Sequence, residues 1–148
     1  MTATNSHDAG NDQTPVLNQE LLDQYRSRKS NLLERLIKAW LEEAPRFFDG
    51  IRQASAEKNL KDVRAHAHAL KSCSNNLGAV RLAKTCQNLE SAALSEDNSV
   101  VDEVMTQIGP EFFEAEQALR GELFNLNPDA NSFIKENIEE QNFSSDWI

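Results

Sequence analysis

The sequence predicts an all-α fold, an up-and-down antiparallel four-helix bundle with a short additional N-terminal helix. Three observations carry that expectation. Glycine and proline are scarce, at five and four of 148 residues, while Ala, Leu, Glu, Gln and Lys recur throughout, a composition that favours helix over strand. No stretch alternates apolar and polar residues as a half-buried strand must. Successive segments instead show apolar residues at helical spacing, joined by short polar links of the kind that connect antiparallel neighbours.

Residues 1–15 are polar and close on Pro15. They read as a flexible leader, too poor in large apolar side chains to offset the entropy of ordering. Leu17, Leu21, Leu22 and Tyr25 then recur at helical spacing, and the basic cluster "RSRK" at 26–29 suits the negative end of a short first helix. Ser30 and Asn31 are placed to cap the next one. That helix carries Leu32, Leu33, Leu36, Ile37, Trp40, Leu41, Phe47, Phe48 and Ile51 on one broad stripe, running to about Ala56. Pro45 lies inside it, which predicts a bend or restart near Glu43 because proline removes a backbone hydrogen bond and crowds the preceding turn.

After the link "EKN" at 57–59, Leu60 to about Asn75 forms the third helix and Gly78 marks its break. Ala79 to about Leu94 forms the fourth, with Leu82, Ala83, Cys86, Leu89 and Ala93 inward. "SEDNS" at 95–99 supplies a turn and a cap. The last long helix sets Val101, Val104, Met105, Ile108, Phe112, Ala115 and Leu119 on one face, with Gly109 and Pro110 as a second expected kink. The bundle thus spans 16–124. Residues 125–148 form an acidic tail whose Phe133, Ile134, Ile138, Phe143 and Trp147 leave three states open: packing on the bundle, disorder, or docking to a partner.

A net charge of −9 and a pI near 4.8 argue against nucleic acid or an anionic membrane surface as the main partner, since both repel the molecule as a whole. A protein partner is expected. The N-terminus has neither the basic nor the apolar region of a signal peptide, and no apolar run approaches the roughly 18 residues of a membrane span. The reading is a cytoplasmic protein, with Cys73 and Cys86 free as thiols are in a reducing compartment. The apolar stripes are used up by five helices, which predicts a monomer.

On the third helix Leu60, Val63, Ala67, Leu70 and Ser74 fall in one sector, the core side. His66 lies at the border of that sector and reads as a flank histidine that packs its ring and keeps one nitrogen wet. His68 falls roughly 130° from the stripe's centre, beside Arg64, Lys71, Ser72 and Asn75. The neighbouring cations would stabilise a phosphoryl group on its ring, although a histidine near lysines is also an ordinary surface feature. Glu90 is phased with Cys86 and Ala93, towards the inside, where a carboxylate needs a partner. An imidazole N–H on the neighbouring helix would serve and would fix the tautomer; the alternative is a side chain reaching past the core to Lys84 or solvent.

These residues carry a resemblance. "AHALKSCSNNLGAVRLAKTCQNLE", Ala67 to Glu90, resembles the histidine-containing phosphotransfer (HPt) domain of bacterial phosphorelays. The family pattern runs His-x-Leu-Lys-Gly-Ser, then Leu-Gly-Ala after a short spacer, then Cys-x-x-Leu-Glu. "WLEEAPR" at 40–46 and "NLKDVRAHAHAL" at 59–70 are similar to the family's upstream segments, and the likeness covers residues 16 to about 123. It implies that His68 accepts the phosphoryl group, Lys71 stabilises it and Glu90 orients the imidazole. Arg64, Ser72, Asn75 and Gly78 are the positions expected to meet the partner. Ser72 stands where the family usually has the glycine that lets the partner approach closely; its hydroxyl narrows partner choice or adds a hydrogen bond to phosphate.

The function so implied is that of a phosphorelay intermediate. A phosphoryl group passes from a receiver-domain phosphoaspartate to His68 and on to the aspartate of another receiver domain. The expected partners are the receiver domains of a hybrid sensor histidine kinase and of a response regulator. No nucleotide-binding Gly-rich loop, Walker lysine or kinase signature is present, so the reading is a carrier without ATP-dependent kinase activity. No cofactor is expected on this chain, Mg²⁺ belonging to the receiver domain. Between Glu57 and Glu90 six basic residues face three acids, a local +3 in an acidic protein that suits an acidic receiver pocket. A metal site from His66, His68 and Cys73 is disfavoured because histidines two residues apart sit about 160° apart on a helix. A non-phosphorylated bundle that merely binds receiver domains is the remaining alternative.

Overall fold

The computed structural model of the protein describes residues 14–28 and 31–130. The leader, apart from residues 14 and 15, and the tail beyond residue 130 therefore lie outside the described residues, as does Ser30. All regular structure among the described residues is helical: α1 (Gln19–Arg26), α2 (Leu32–Ala56), α3 (Leu60–Asn76), α4 (Val80–Leu94), α5 (Asn98–Leu126) and a 3₁₀ turn (Pro128–Ala130). No helix among them is long and apolar enough to cross a membrane. Each long helix packs on the next, and α5 closes back onto α2, so the four enclose one core with α1 lying against α2.

The inward faces are those the apolar spacing marks. Leu33, Ile37, Ile51, Val63, Leu70, Leu82, Leu89, Ile108 and Leu119 are almost wholly removed from water, and burial of this kind is the main stabilising contribution in a domain of this size. At the centre the rings of Trp40, Phe112 and Phe48 stack in sequence, with centroids 5.5 and 4.5 Å apart. The Trp40 Nε1–H donates to Ser74 Oγ at 3.2 Å, which satisfies a hydroxyl that is fully buried on α3's core stripe.

Pro45 and Pro110 do not interrupt their helices. Both α2 and α5 run on as single α-helices, so the expected restart near Glu43 is not found. The physical reason is packing on either side: Ala44 and Phe48 flank one proline, Ile108 and Phe112 the other, and all four are buried in phase. Asn31, expected to cap α2 through its side chain, makes no such bond; it adopts a left-handed backbone at φ 55°.

The three links between long helices share one build. Each helix ends with a left-handed residue, Lys58 (φ 60°), Gly78 (φ 78°) or Glu96 (φ 55°). The following N–H reaches back five residues: Asn59 to Ala54 O at 2.9 Å, Ala79 to Ser74 O at 2.8 Å, Asp97 to Ala92 O at 3.1 Å. This is the Schellman closure, which satisfies carbonyls the helix end would otherwise strand. In each case the reaching residue also begins the next helix, and Asn59 and Asp97 cap it through their side chains. Links this short force neighbours to run antiparallel.

α1 is fastened over the α3–α4 link. Asn18 N–H donates to Gly78 O at 2.8 Å, and Tyr25 Oη–H to Asn76 O at 2.7 Å. Between α2 and α3 the approach is close enough that a Cβ added at Gly50 would lie 2.7 Å from His66 Nδ1. His66 thus packs its ring on the glycine backbone, half-buried, as a flank histidine should.

Candidate functional site

α3 turns its second face to solvent. Arg64, His68 and Ser72 follow one another at intervals of four, and Asn75 lies two turns beyond His68, so all four share a side of the helix. Each is exposed, and the His68 side chain keeps 60% of its surface open to water. The segment can afford that exposure because Val63, Ala67, Leu70 and Ser74 on the opposite side anchor it in the core.

α4 brings the acid. Leu89 and Cys86 point inward, and Glu90, beside them in phase, emerges at the seam between α4 and α3 with 17% of its side chain accessible. Its two oxygens are divided. Oε2 lies 2.8 Å from His68 Nδ1, and Oε1 accepts from Lys71 Nζ at 2.7 Å. The alternative in which Glu90 reaches for Lys84 or solvent is not the arrangement observed. Burial pushes the Glu90 carboxyl up, but hydrogen bonds and charge from Lys71 and His68 outweigh it and hold the group below its ordinary value. Glu90 is therefore a carboxylate near neutral pH and can only accept. In the neutral ring that places the proton on Nδ1 and the lone pair on Nε2, at the opposite edge of an exposed ring.

Lys71 is held more firmly than the sequence suggests. Its ammonium donates also to Gln87 Oε1 at 2.9 Å, so two residues one turn apart on α4 fix its position. The sequence does not single out Gln87, because an exposed glutamine is indistinguishable there from any solvated polar residue. The signal that could have found it is its place three residues before Glu90, on the same side of α4.

Gly78 does not belong with the surface residues. It is buried under the N-terminal segment, where an added Cβ would meet Asn18 Cβ at 3.3 Å. Its glycine character serves the left-handed backbone at the end of α3. Arg81, counted in the basic patch, donates to Thr14 O at 2.8 Å and to Glu114 at 3.0 Å, which commits its charge to fastening the N-terminal segment. Lys61, Arg64 and Lys84 remain at the surface.

His66 and His68 do not converge: one rests on Gly50 of α2, the other on Glu90 of α4. Cys73 points its thiol at Leu70 O, and burial pushes it up to about 11. Burial likewise raises Cys86. Neither sulfur is a thiolate at neutral pH.

The comparisons with known proteins bear on the family and the fold. The family model of the Hpt domain matches residues 35–127, more than half of the chain. Among solved structures, the histidine-containing phosphotransfer protein B (HptB) of Pseudomonas aeruginosa PAO1 superposes with a TM-score of 0.70 at 21% identity, covering 76% of this chain and 98% of that one. It shares the helical fold. No curated protein matches.

Proposed function

The chain belongs to the Hpt domain family, and from that premise we propose that His68 is its phospho-accepting residue, relaying phosphoryl groups between the aspartates of two receiver domains. Histidine phosphotransfer in phosphorelays is the role of the family, a carrier's role rather than a kinase's. What supports assigning it to His68 is one observation above the others. The imidazole is exposed, its Nδ1 is engaged by the Glu90 carboxylate, and the Lys71 ammonium is bound to that same carboxylate.

In this reading the Nε2 lone pair attacks the phosphorus of a receiver phosphoaspartate. The new N–P bond forms as the P–O bond to the aspartate breaks, and the electron pair leaves on the aspartate carboxylate. The Nδ1 proton stays in place, so the phosphorylated ring carries positive charge, which Glu90 compensates at hydrogen-bond distance. Lys71 stabilises the phosphoryl oxygens. Transfer to the next receiver is the reverse, with a neutral imidazole as the leaving group. Mg²⁺ and most of the catalytic groups belong to the receiver domain, and this protein offers a positioned nucleophile.

The partners are accordingly the receiver domains of a hybrid sensor histidine kinase and of a response regulator, met by a cytoplasmic monomer. Arg64, Ser72 and Asn75 form the docking strip on either side of His68, and Arg64 supplies positive charge for an acidic receiver pocket.

The test is phosphoryl transfer from a phosphorylated receiver domain to the wild type and to His68→Gln. An acid-labile, base-stable label on the wild type that is absent from the variant is the expected result. A properly folded wild type that takes no label from any receiver offered would instead make the protein an adaptor that binds receivers without accepting phosphate.

A further inference from the structure

We propose that Gln87 is a positioning residue for phosphoryl transfer, holding the Lys71 ammonium so that its remaining N–H is aimed at the phosphoryl group on His68 Nε2. The inference rests on the roles of His68 and Lys71 proposed above. An ammonium has three N–H donors. On Lys71 one goes to Glu90 Oε1 at 2.7 Å and one to Gln87 Oε1 at 2.9 Å, which leaves the third for a ligand.

Two anchors do what one cannot. A lysine held at a single point pivots about it, because its four-carbon stem has many rotamers. With Glu90 and Gln87 both engaged, the direction of the third N–H is set by the rigid spacing of one turn of α4. The two anchors also differ in charge. Glu90 is already neutralising part of the ammonium, and a second carboxylate would draw more of that charge away from an incoming phosphoryl dianion. The Gln87 amide oxygen orients Lys71 without doing so. The other end of the amide donates to Ser91 Oγ at 3.4 Å, which turns the oxygen rather than the NH₂ towards Lys71.

The experiment measures the equilibrium between phosphoaspartate on a receiver domain and phospho-His68 on the full chain. That ratio reports the relative stability of the phosphorylated histidine and is independent of how tightly the two proteins dock. Gln87→Met keeps the length of the side chain and removes the acceptor; at an exposed position it should not disturb folding, which circular dichroism and urea unfolding would verify. Loss of aim on one charge-assisted hydrogen bond should shift the equilibrium about fivefold towards phosphoaspartate. In a Lys71→Met background the same change should have no further effect, since Gln87 acts only through the lysine.

An equilibrium for Gln87→Met equal to that of the wild type overturns the proposal. So does a shift that persists undiminished in the Lys71→Met background. Phosphoramidate, a small donor that needs no docking, separates the two levels of the argument. A wild type that takes label from neither phosphoramidate nor any receiver removes the phosphorelay reading and this inference together. A labelled wild type with a silent Gln87→Met removes this inference alone.

Discussion

Replacing Glu90 by glutamine is the sharpest probe of how the site is held. The carboxylate gives one oxygen to His68 Nδ1 and the other to Lys71 Nζ, whereas an amide has a single oxygen and presents an NH₂ in place of the second. One of the two partners must therefore face a donor. Hydrogen bonds to charged groups contribute about 1.5–3 kcal/mol net. Glu90 and Lys71 are mostly buried side chains, but His68 is largely exposed, so the loss should sit at the lower end, about 1.5 kcal/mol. For a domain of this size that lowers the thermal midpoint by about 6 °C.

The pH dependence makes the assignment specific. The Glu90 carboxyl titrates below its ordinary 4.5 in the folded protein, so the unfolded chain binds its proton at higher pH than the native one. The stabilisation is present in full above the unfolded value and is lost as pH falls through the folded one. Urea unfolding of wild type and Glu90→Gln should differ by the full amount near neutral pH. The gap should narrow on acidification below 4.5, where protonated glutamate becomes equivalent to the amide. Equal stability at neutral pH would refute the reasoning, and so would a gap unchanged after the carboxyl is protonated.

Three further substitutions test the framework. Gly50→Ala sets a methyl 2.7 Å from the His66 ring and should lower stability by about 1 kcal/mol, because the close approach outweighs alanine's helix preference. In a His66→Ala background the same change should raise stability by up to about 1 kcal/mol, and both signs can be read by calorimetry. At the links, Lys58→Gly should stabilise by about 0.5–1 kcal/mol through relief of its left-handed backbone, whereas Gly78→Ala should cost about 1–2 kcal/mol; chemical denaturation would show the opposite signs.

The four long helices were legible because their apolar spacing is sustained over many turns, whereas phase alone turned Glu90 inward and left its partner open. What escaped did so for identifiable reasons. Lys58 and Glu96 occupy the same backbone conformation as Gly78, yet only glycine advertises it in a sequence. Pro45 and Pro110 were local signals for bends, overridden as breaks by buried neighbours on both sides. Gly78 announced a special backbone position, and the sequence could not say whether that served a docking partner or the end of a helix. The division of Glu90 between two partners, and with it the place of Gln87, depends on how far α4 slides along α3. No periodicity encodes that offset.

The constellation at His68 is local in the chain. His68 and Glu90 are separated by 22 positions, on two helices joined by the link at Gly78 and by nothing longer. The distances that matter to the chemistry are set by one helical hairpin and its single interface. α2 and α5 complete the core beneath it, while the hydrogen bonds that join Glu90, His68, Lys71 and Gln87 run between α3 and α4. Mutational drift in those two helices is consequently free to remodel stability, or to decorate the far side of the bundle, while leaving the reactive geometry where it is. Changes that alter the register of the hairpin reach both at once.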